Sequence, residues 1–152
     1  MRYYKLKAEV CIVDFRFRKK IYMKVFLVDD SVIVLKKLGD MISSIKGFEI
    51  AGQAINADDA IQFIVKLKPD VVILDIRLNG SGNGIDVLKR IRKKIPSSII
   101  IMLTNYPYPQ YREKCEELGA DYFFDKVTEI ERIQEVIEQW AKNEGVKTNE
   151  SI

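Results

Sequence analysis

Three carboxylates, one hydroxyl and one amine stand at the ends of short apolar runs in this chain. Asp29 and Asp30 follow Val25-Phe26-Leu27-Val28, and Asp75 follows Val71-Val72-Ile73-Leu74. Thr104 closes the run that begins at Ile99, and Lys126 follows the segment from Asp121 to Asp125. Carboxylates gathered at one point resist joint ionisation, and a hard divalent cation relieves that conflict. Mg²⁺ suits such a set, because it takes one or two carboxylates, water and a phosphoryl oxygen in octahedral geometry. A carboxylate can also attack phosphorus and give an aspartyl phosphate. The transferred group then needs its charge neutralised, since phosphoryl transfer is mainly positioning and electrostatics. The metal would meet one phosphoryl oxygen, the Lys126 ammonium a second and the Thr104 hydroxyl a third.

That chemistry works only if the backbone brings these residues onto one rim. The apolar pattern says how. From Met23 onward, short apolar runs alternate with segments of helical spacing. Leu35, Leu38, Met41, Ile42 and Ile45 mark a first helix, and residues 48–54 a weaker second strand. Ala57, Ala60, Ile61, Ile64 and Leu67 mark a second helix, closed by Lys68-Pro69. Val87, Leu88 and Ile91 lie on a third, stopped before Pro96. Tyr111, Cys115 and Leu118 share a face of a fourth, which is ended by Gly119. Residues 121–125 form a fifth strand, and Ile130, Ile133, Val136, Ile137 and Trp140 the stripe of a last helix.

Five strands alternating with five helices imply a doubly wound α/β domain, a parallel sheet covered on both faces. The expected arrangement is flavodoxin-like, (βα)5 with strand order 2-1-3-4-5, and ligands sit beyond the carboxyl ends of such strands. The domain is expected over residues 23–143, with an extension of uncertain status at 1–22 and a polar tail at 144–152.

Composition narrows the class. The chain has 152 residues, 47% of them hydrophobic and 31% charged, as expected for one globular domain. It contains no His, which removes His-based catalysis and most zinc sites. Two cysteines, Cys11 and Cys115, make no disulfide framework, so a reducing, cytoplasmic setting is expected. No apolar run approaches the roughly 20 residues of a membrane span. Residues 1–22 carry seven basic and two acidic groups, so the rest of the chain holds −2 of the total +3. A nucleic-acid face on the main domain is therefore not expected. Three readings of residues 1–22 stay open. Val10, Ile12 and Val13 could add an edge strand, residues 16–20 could touch a membrane surface or nucleic acid, or Met23 could be the native start.

Taken together, Val28-Asp29-Asp30-Ser31, Ile73-Leu74-Asp75, Met102-Leu103-Thr104 and Phe124-Asp125-Lys126 resemble the signature of response-regulator receiver domains. The resemblance runs from about Met23 to about Trp140. It implies that Asp75 accepts a phosphoryl group from a histidine kinase or phosphotransfer protein. It also implies that Asp30 binds Mg²⁺ directly, Asp29 through water, and Arg77 through its backbone carbonyl. Thr104 would move toward the phosphoryl group, and Phe123 would turn inward with it. The surface of helix 4, strand 5 and helix 5 would then control a separate downstream effector, since no output domain is expected after the last helix. A homodimer formed on phosphorylation is left open. Such a protein catalyses its own modification and is not a turnover enzyme.

The sequence departs from that pattern in three places. Val127 stands where Pro usually follows the lysine, Asn105 where a small residue usually follows the Thr, and the loop 79–84 is one residue longer. Asn105 and Arg77 are expected to alter the lifetime of the phosphoryl group.

Blander readings compete residue by residue. Asp29, Asp30 or Ser31 could simply cap a helix. Phe123 could be a fixed core aromatic, and Tyr106, Tyr108 and Tyr111 could either pack locally or meet a partner. Gly80, Gly82 and Gly84 serve a tight turn and are no phosphate loop, because no Gly-Lys-Ser/Thr follows. Two other functions are weighed: a degenerate receiver acting as a constitutive interaction module, and a phosphohydrolase of similar fold. The second would need an acid or base two residues after Asp75, where Arg77 stands.

Overall fold

Residues 25–28, 71–74 and 100–103 are buried on both sides, which only a sheet covered on both faces permits. A computed structural model describes residues 22–80 and 82–143. The readings made for residues 1–21 and for the tail 144–152 lie outside them. The elements are β1 (Met23–Val28), α1 (Val32–Ser43), β2 (Phe48–Ala54), α2 (Ala57–Leu67), β3 (Val71–Leu74), α3 (Gly84–Lys94), β4 (Ile99–Thr104), α4 (Pro109–Glu117), β5 (Tyr122–Asp125) and α5 (Arg132–Asn143). All strand pairs are parallel, in the order β2-β1-β3-β4-β5. This is the flavodoxin-like order expected above.

Alternate strand residues point to opposite faces and build two apolar layers. Val25, Leu27, Ile73 and Ile101 pack with Leu35, Leu38 and Ile42 of α1 and Ile133, Ile137 and Ala141 of α5. Phe26, Val72, Leu74 and Met102 pack with Ala60 and Ile64 of α2, Val87, Leu88 and Ile91 of α3, and Cys115 of α4. Each fully buried Leu or Ile contributes roughly 1.5–3 kcal/mol relative to an exposed one. Burial also pushes the Cys115 thiol up to about 11, so it stays a packing group at neutral pH.

Helix starts follow local chemistry. Ser31 Oγ accepts from Val34 N–H at 3.3 Å, and Asn56 Oδ1 accepts from Asp59 N–H at 2.8 Å. Asn83 and Asp86 form a capping box at the start of α3. Helix α4 has no side-chain cap and begins on Pro109, whose fixed φ suits a first helical position.

Three boundaries differ from expectation. Ile45 and Ile130 are buried but lie in turns outside α1 and α5, so their apolar spacing reports the core rather than the helix. Strand β5 begins at Tyr122, because the Asp121 carboxylate turns to accept from Ile100 N–H at 2.8 Å. Strand β2 reads weakly because it bulges: Val25 pairs with Ile50 but Phe26 with Gly52.

At the end of the sheet opposite the strand carboxyl termini, Arg92 gathers the loops. Its guanidinium donates to the carbonyls of Gly119 (3.0 Å), Ile95 (2.8 Å), Pro96 (2.9 Å) and Ser98 (2.6 Å). It also pairs with Asp121 at 3.2 Å. Among the described residues no helix is long and apolar enough to cross a membrane.

Candidate functional site

The parallel register sets Val28 beside Leu74, Leu74 beside Met102, and Thr104 beside Asp125. The next polar residues therefore emerge on one rim. Lys126 reaches back across it. Its Nζ donates to Asp29 Oδ2 at 2.6 Å and to Asp75 Oδ2 at 2.8 Å. Asp29, Asp75, Thr104 and Lys126 are the buried polar side chains among the described residues. A protein interior tolerates such groups only when they are paired or put to use.

The pairing is incomplete. Asp29 Oδ1 accepts from Ser31 N–H at 2.8 Å, so both its oxygens are occupied. Asp75 Oδ1 is buried and has no hydrogen-bond partner. One oxygen each from Asp29, Asp30 and Asp75 lie within 4.8 Å of one another. Three carboxylates thus cluster where one ammonium bridges two of them, and Asp75 Oδ1 keeps its lone pairs free. An all-oxygen set of this charge fits a hard divalent cation.

The electrostatics follow from burial and neighbours. Desolvation pushes the Asp75 carboxyl above its usual range, against the hydrogen bond and charge of Lys126, and the Asp29 charge adds to the rise. Burial works against the Lys126 ammonium, yet the hydrogen bonds and charges of Asp29 and Asp75 outweigh it and raise its pKa.

Thr104 is fully buried at the end of β4, and its carbonyl accepts from Lys126 N–H at 2.8 Å. Its Oγ1 accepts from Tyr106 N–H at 3.0 Å. Arg77 is exposed, and its guanidinium lies over the Tyr106 ring, 4.0 Å from the centroid. Asn105 is exposed. Phe123 is already buried, with the Arg112 guanidinium 4.6 Å from its ring centroid. The tyrosines do pack on one another, Tyr106 on Tyr108 at 6.1 Å and Tyr108 on Tyr111 at 5.7 Å, while Tyr108 stays half exposed. At the departure Val127, no cis peptide occurs, nor does one elsewhere among the described residues.

Two features escaped the sequence reading. Arg77 meets Tyr106 across a gap of 29 positions, which no spacing rule reports. Gly84 has a role beyond a turn, since a Cβ there would lie 1.9 Å from the Asp75 carbonyl oxygen. The start of α3 therefore presses directly on the Asp75 backbone, and Gly84 N–H donates to Ile76 O at 2.7 Å. Its signal was a glycine following the Asn83 cap.

Fold and rim together define a flavodoxin-like α/β protein with an acidic, lysine-bridged site at the carboxyl ends of its strands. The family model described as response regulator receiver domain matches residues 25–138. The chain belongs to the response-regulator receiver domain family. It is 32% identical over 119 residues to the chemotaxis protein CheY of Thermotoga maritima, covering 78% of this chain and 98% of that one. It is 31% identical over 124 residues to YvfU of Bacillus subtilis, an uncharacterised transcriptional regulatory protein, covering 82% of this chain and 62% of that protein. The chain likewise spans 59% and 54% of two further response regulators, VraR of Staphylococcus saprophyticus and GacA of Pseudomonas aeruginosa. Among solved structures, the response regulator domain of Thermotoga maritima CheB superposes with a TM-score of 0.70 at 27% identity, over 84% of this chain and 99% of that one.

Proposed function

We propose that this receiver domain is a phosphorylation-controlled switch whose acceptor is Asp75. The observation that carries this reading is the buried, unpartnered Asp75 Oδ1 beside an Oδ2 fixed by Lys126. One oxygen is oriented and the other keeps a free lone pair, which is what a carboxylate nucleophile requires.

In the transfer, Asp75 Oδ1 forms a bond to phosphorus as the phosphorus–nitrogen bond of a donor phosphohistidine breaks. The imidazole leaves with the bonding electron pair and takes a proton from solvent. Lys126 turns from the carboxylate toward a phosphoryl oxygen, and the Thr104 hydroxyl donates to another. Asp29, Asp30, Asp75 and the Arg77 backbone carbonyl would hold Mg²⁺, which when bound neutralises charge on the transferred group. Asp30 would bind it directly. Asp29, with both oxygens engaged, would act through water.

The donor is a histidine kinase or phosphotransfer protein, and the compartment is the cytoplasm. The phosphorylated form biases one of two conformations of Thr104 and Phe123, and so the face formed by α4, β5 and α5. That face acts on a separate effector or on a second copy of the chain.

Incubation with acetyl phosphate and Mg²⁺, followed by intact-mass measurement, tests the proposal. The phosphorus–oxygen bond to acetate breaks as the Asp75 acyl phosphate forms, and acetate leaves with the bonding electron pair. The expected result is a persistent gain of one phosphoryl, absent in Asp75→Asn. No gain would point to a constitutive interaction module, and rapid multiple turnover to a phosphohydrolase.

A further inference from the structure

Arg77 lies two residues past Asp75, and Tyr106 two residues past Thr104. Their side chains meet, guanidinium over ring at 4.0 Å. The backbone N–H of Tyr106 is bonded to the Thr104 hydroxyl oxygen at 3.0 Å. That bond pins the oxygen. The hydroxyl hydrogen stays free to donate, but any displacement of the Thr104 oxygen toward a group on Asp75 breaks that bond or carries the Tyr106 backbone with it.

The pin is only as firm as the Tyr106 loop, which Tyr108 N–H holds through the Tyr106 carbonyl at 2.8 Å and Arg77 grips from the Asp75 side. A guanidinium also has a stronger partner in prospect. Charge-assisted, bidentate hydrogen bonds to a phosphoryl group exceed a cation–π contact at an exposed site. The loop continues by ring contacts from Tyr106 through Tyr108 to Tyr111 in α4, so its release is felt by that helix.

We propose that Arg77 and Tyr106 form a latch in which the guanidinium, stacked on the ring, holds Tyr106 N–H on the Thr104 hydroxyl until a phosphoryl group on Asp75 draws the guanidinium away. Arg77 is then a positioning residue that acts on Thr104 through Tyr106. One event frees two groups: Arg77 turns to the phosphoryl oxygens and Thr104 becomes mobile. The inference rests on Asp75 as the acceptor.

The test uses the full chain with Arg77→Gln, Tyr106→Leu and Tyr106→Phe. In the unmodified protein, hydrogen exchange at the Tyr106 amide should quicken about threefold in Arg77→Gln and Tyr106→Leu, the scale of one exposed cation–π contact, and stay unchanged in Tyr106→Phe. With acetyl phosphate and Mg²⁺, Tyr106→Leu should gain its phosphoryl faster than wild type, because the guanidinium is set free to meet the incoming anion. Arg77→Gln should gain it more slowly, because that charge is lost. A merely structural contact would not give opposite signs. Equal exchange at Tyr106 in wild type and Arg77→Gln, or rate changes of the same sign in the two variants, overturns the latch and leaves the acceptor reading standing. Wild type that takes no phosphoryl overturns the acceptor reading, and the release step with it.

Discussion

The Lys126 ammonium lies 2.8 Å from Asp75 Oδ2, on a carboxylate whose other oxygen is buried without a partner. The same ammonium lies 2.6 Å from Asp29 Oδ2. A single cation thus spaces and orients two buried anions, and removing it leaves both uncompensated.

Lys126→Met should therefore destabilise the domain by about 3 kcal/mol, the scale for breaking a buried ion pair from one side. Urea midpoints of wild type and variant would measure it. The pH dependence follows from the raised pKa of Lys126. A group whose folded pKa exceeds its unfolded one adds stability below the unfolded value and loses it as pH rises through the folded one. The Lys126 contribution should be complete below its ordinary value of 10.5 and fade at more alkaline pH. In Lys126→Met that alkaline loss should be smaller.

Mg²⁺ should raise the thermal midpoint of the unmodified protein, because a ligand that binds only the folded state stabilises it. At about a hundred times the dissociation constant the gain is roughly 2.7 kcal/mol. Asp30→Asn removes one of the three clustered carboxylates without touching the Lys126 bridge. Its midpoint should be insensitive to Mg²⁺ over the same range, with the metal-free midpoint near that of wild type. Calorimetric scans with and without the ion would decide.

Gly84→Ala forces a methyl to within 1.9 Å of the Asp75 carbonyl oxygen unless α3 retreats. Overpacking of this kind costs about 3 kcal/mol or more when backbone must move. Because Gly84 N–H is also bonded to Ile76 O, the adjustment passes to the backbone next to Asp75, so phosphoryl gain should fall even in protein that remains folded. A denaturant curve and a mass measurement on one preparation would show both effects.

Arg92→Lys should lower stability by about 2 kcal/mol, since an ammonium cannot reproduce the planar fork that serves several carbonyls at once. The rim lies at the other end of the sheet, so the folded variant should take up its phosphoryl at the wild-type rate. A slowed rate at full folding would contradict that separation.

Much of this architecture was legible in one dimension. The runs at residues 25–28, 71–74 and 99–103 are apolar at every position, the mark of strands sealed on both sides. Parallel topology then turns "the residue after the run" into "a residue on the rim", which is why Asp29, Asp30, Asp75, Thr104 and Lys126 could be named together. What stayed illegible depends on tertiary geometry. Arg77 reads as a surface arginine until Tyr106 is found beneath it. Arg92 sits between ordinary helical neighbours, and its carbonyl partners come from two separate loops. Gly84 looks like a third turn glycine, because no local rule says that a carbonyl from residue 75 occupies the space of its missing methyl.

Helix α4 contributes only Cys115 to the fully buried interior and starts without a side-chain cap, whereas α1, α2, α3 and α5 each bury three or more residues. Four helices are anchored like bolts and one rests like a shutter, hung beside the strand that ends in Thr104. A disturbance at the rim will travel where resistance is lowest. In this molecule the helix that costs least to shift is set by the unequal grip of the helices on the sheet.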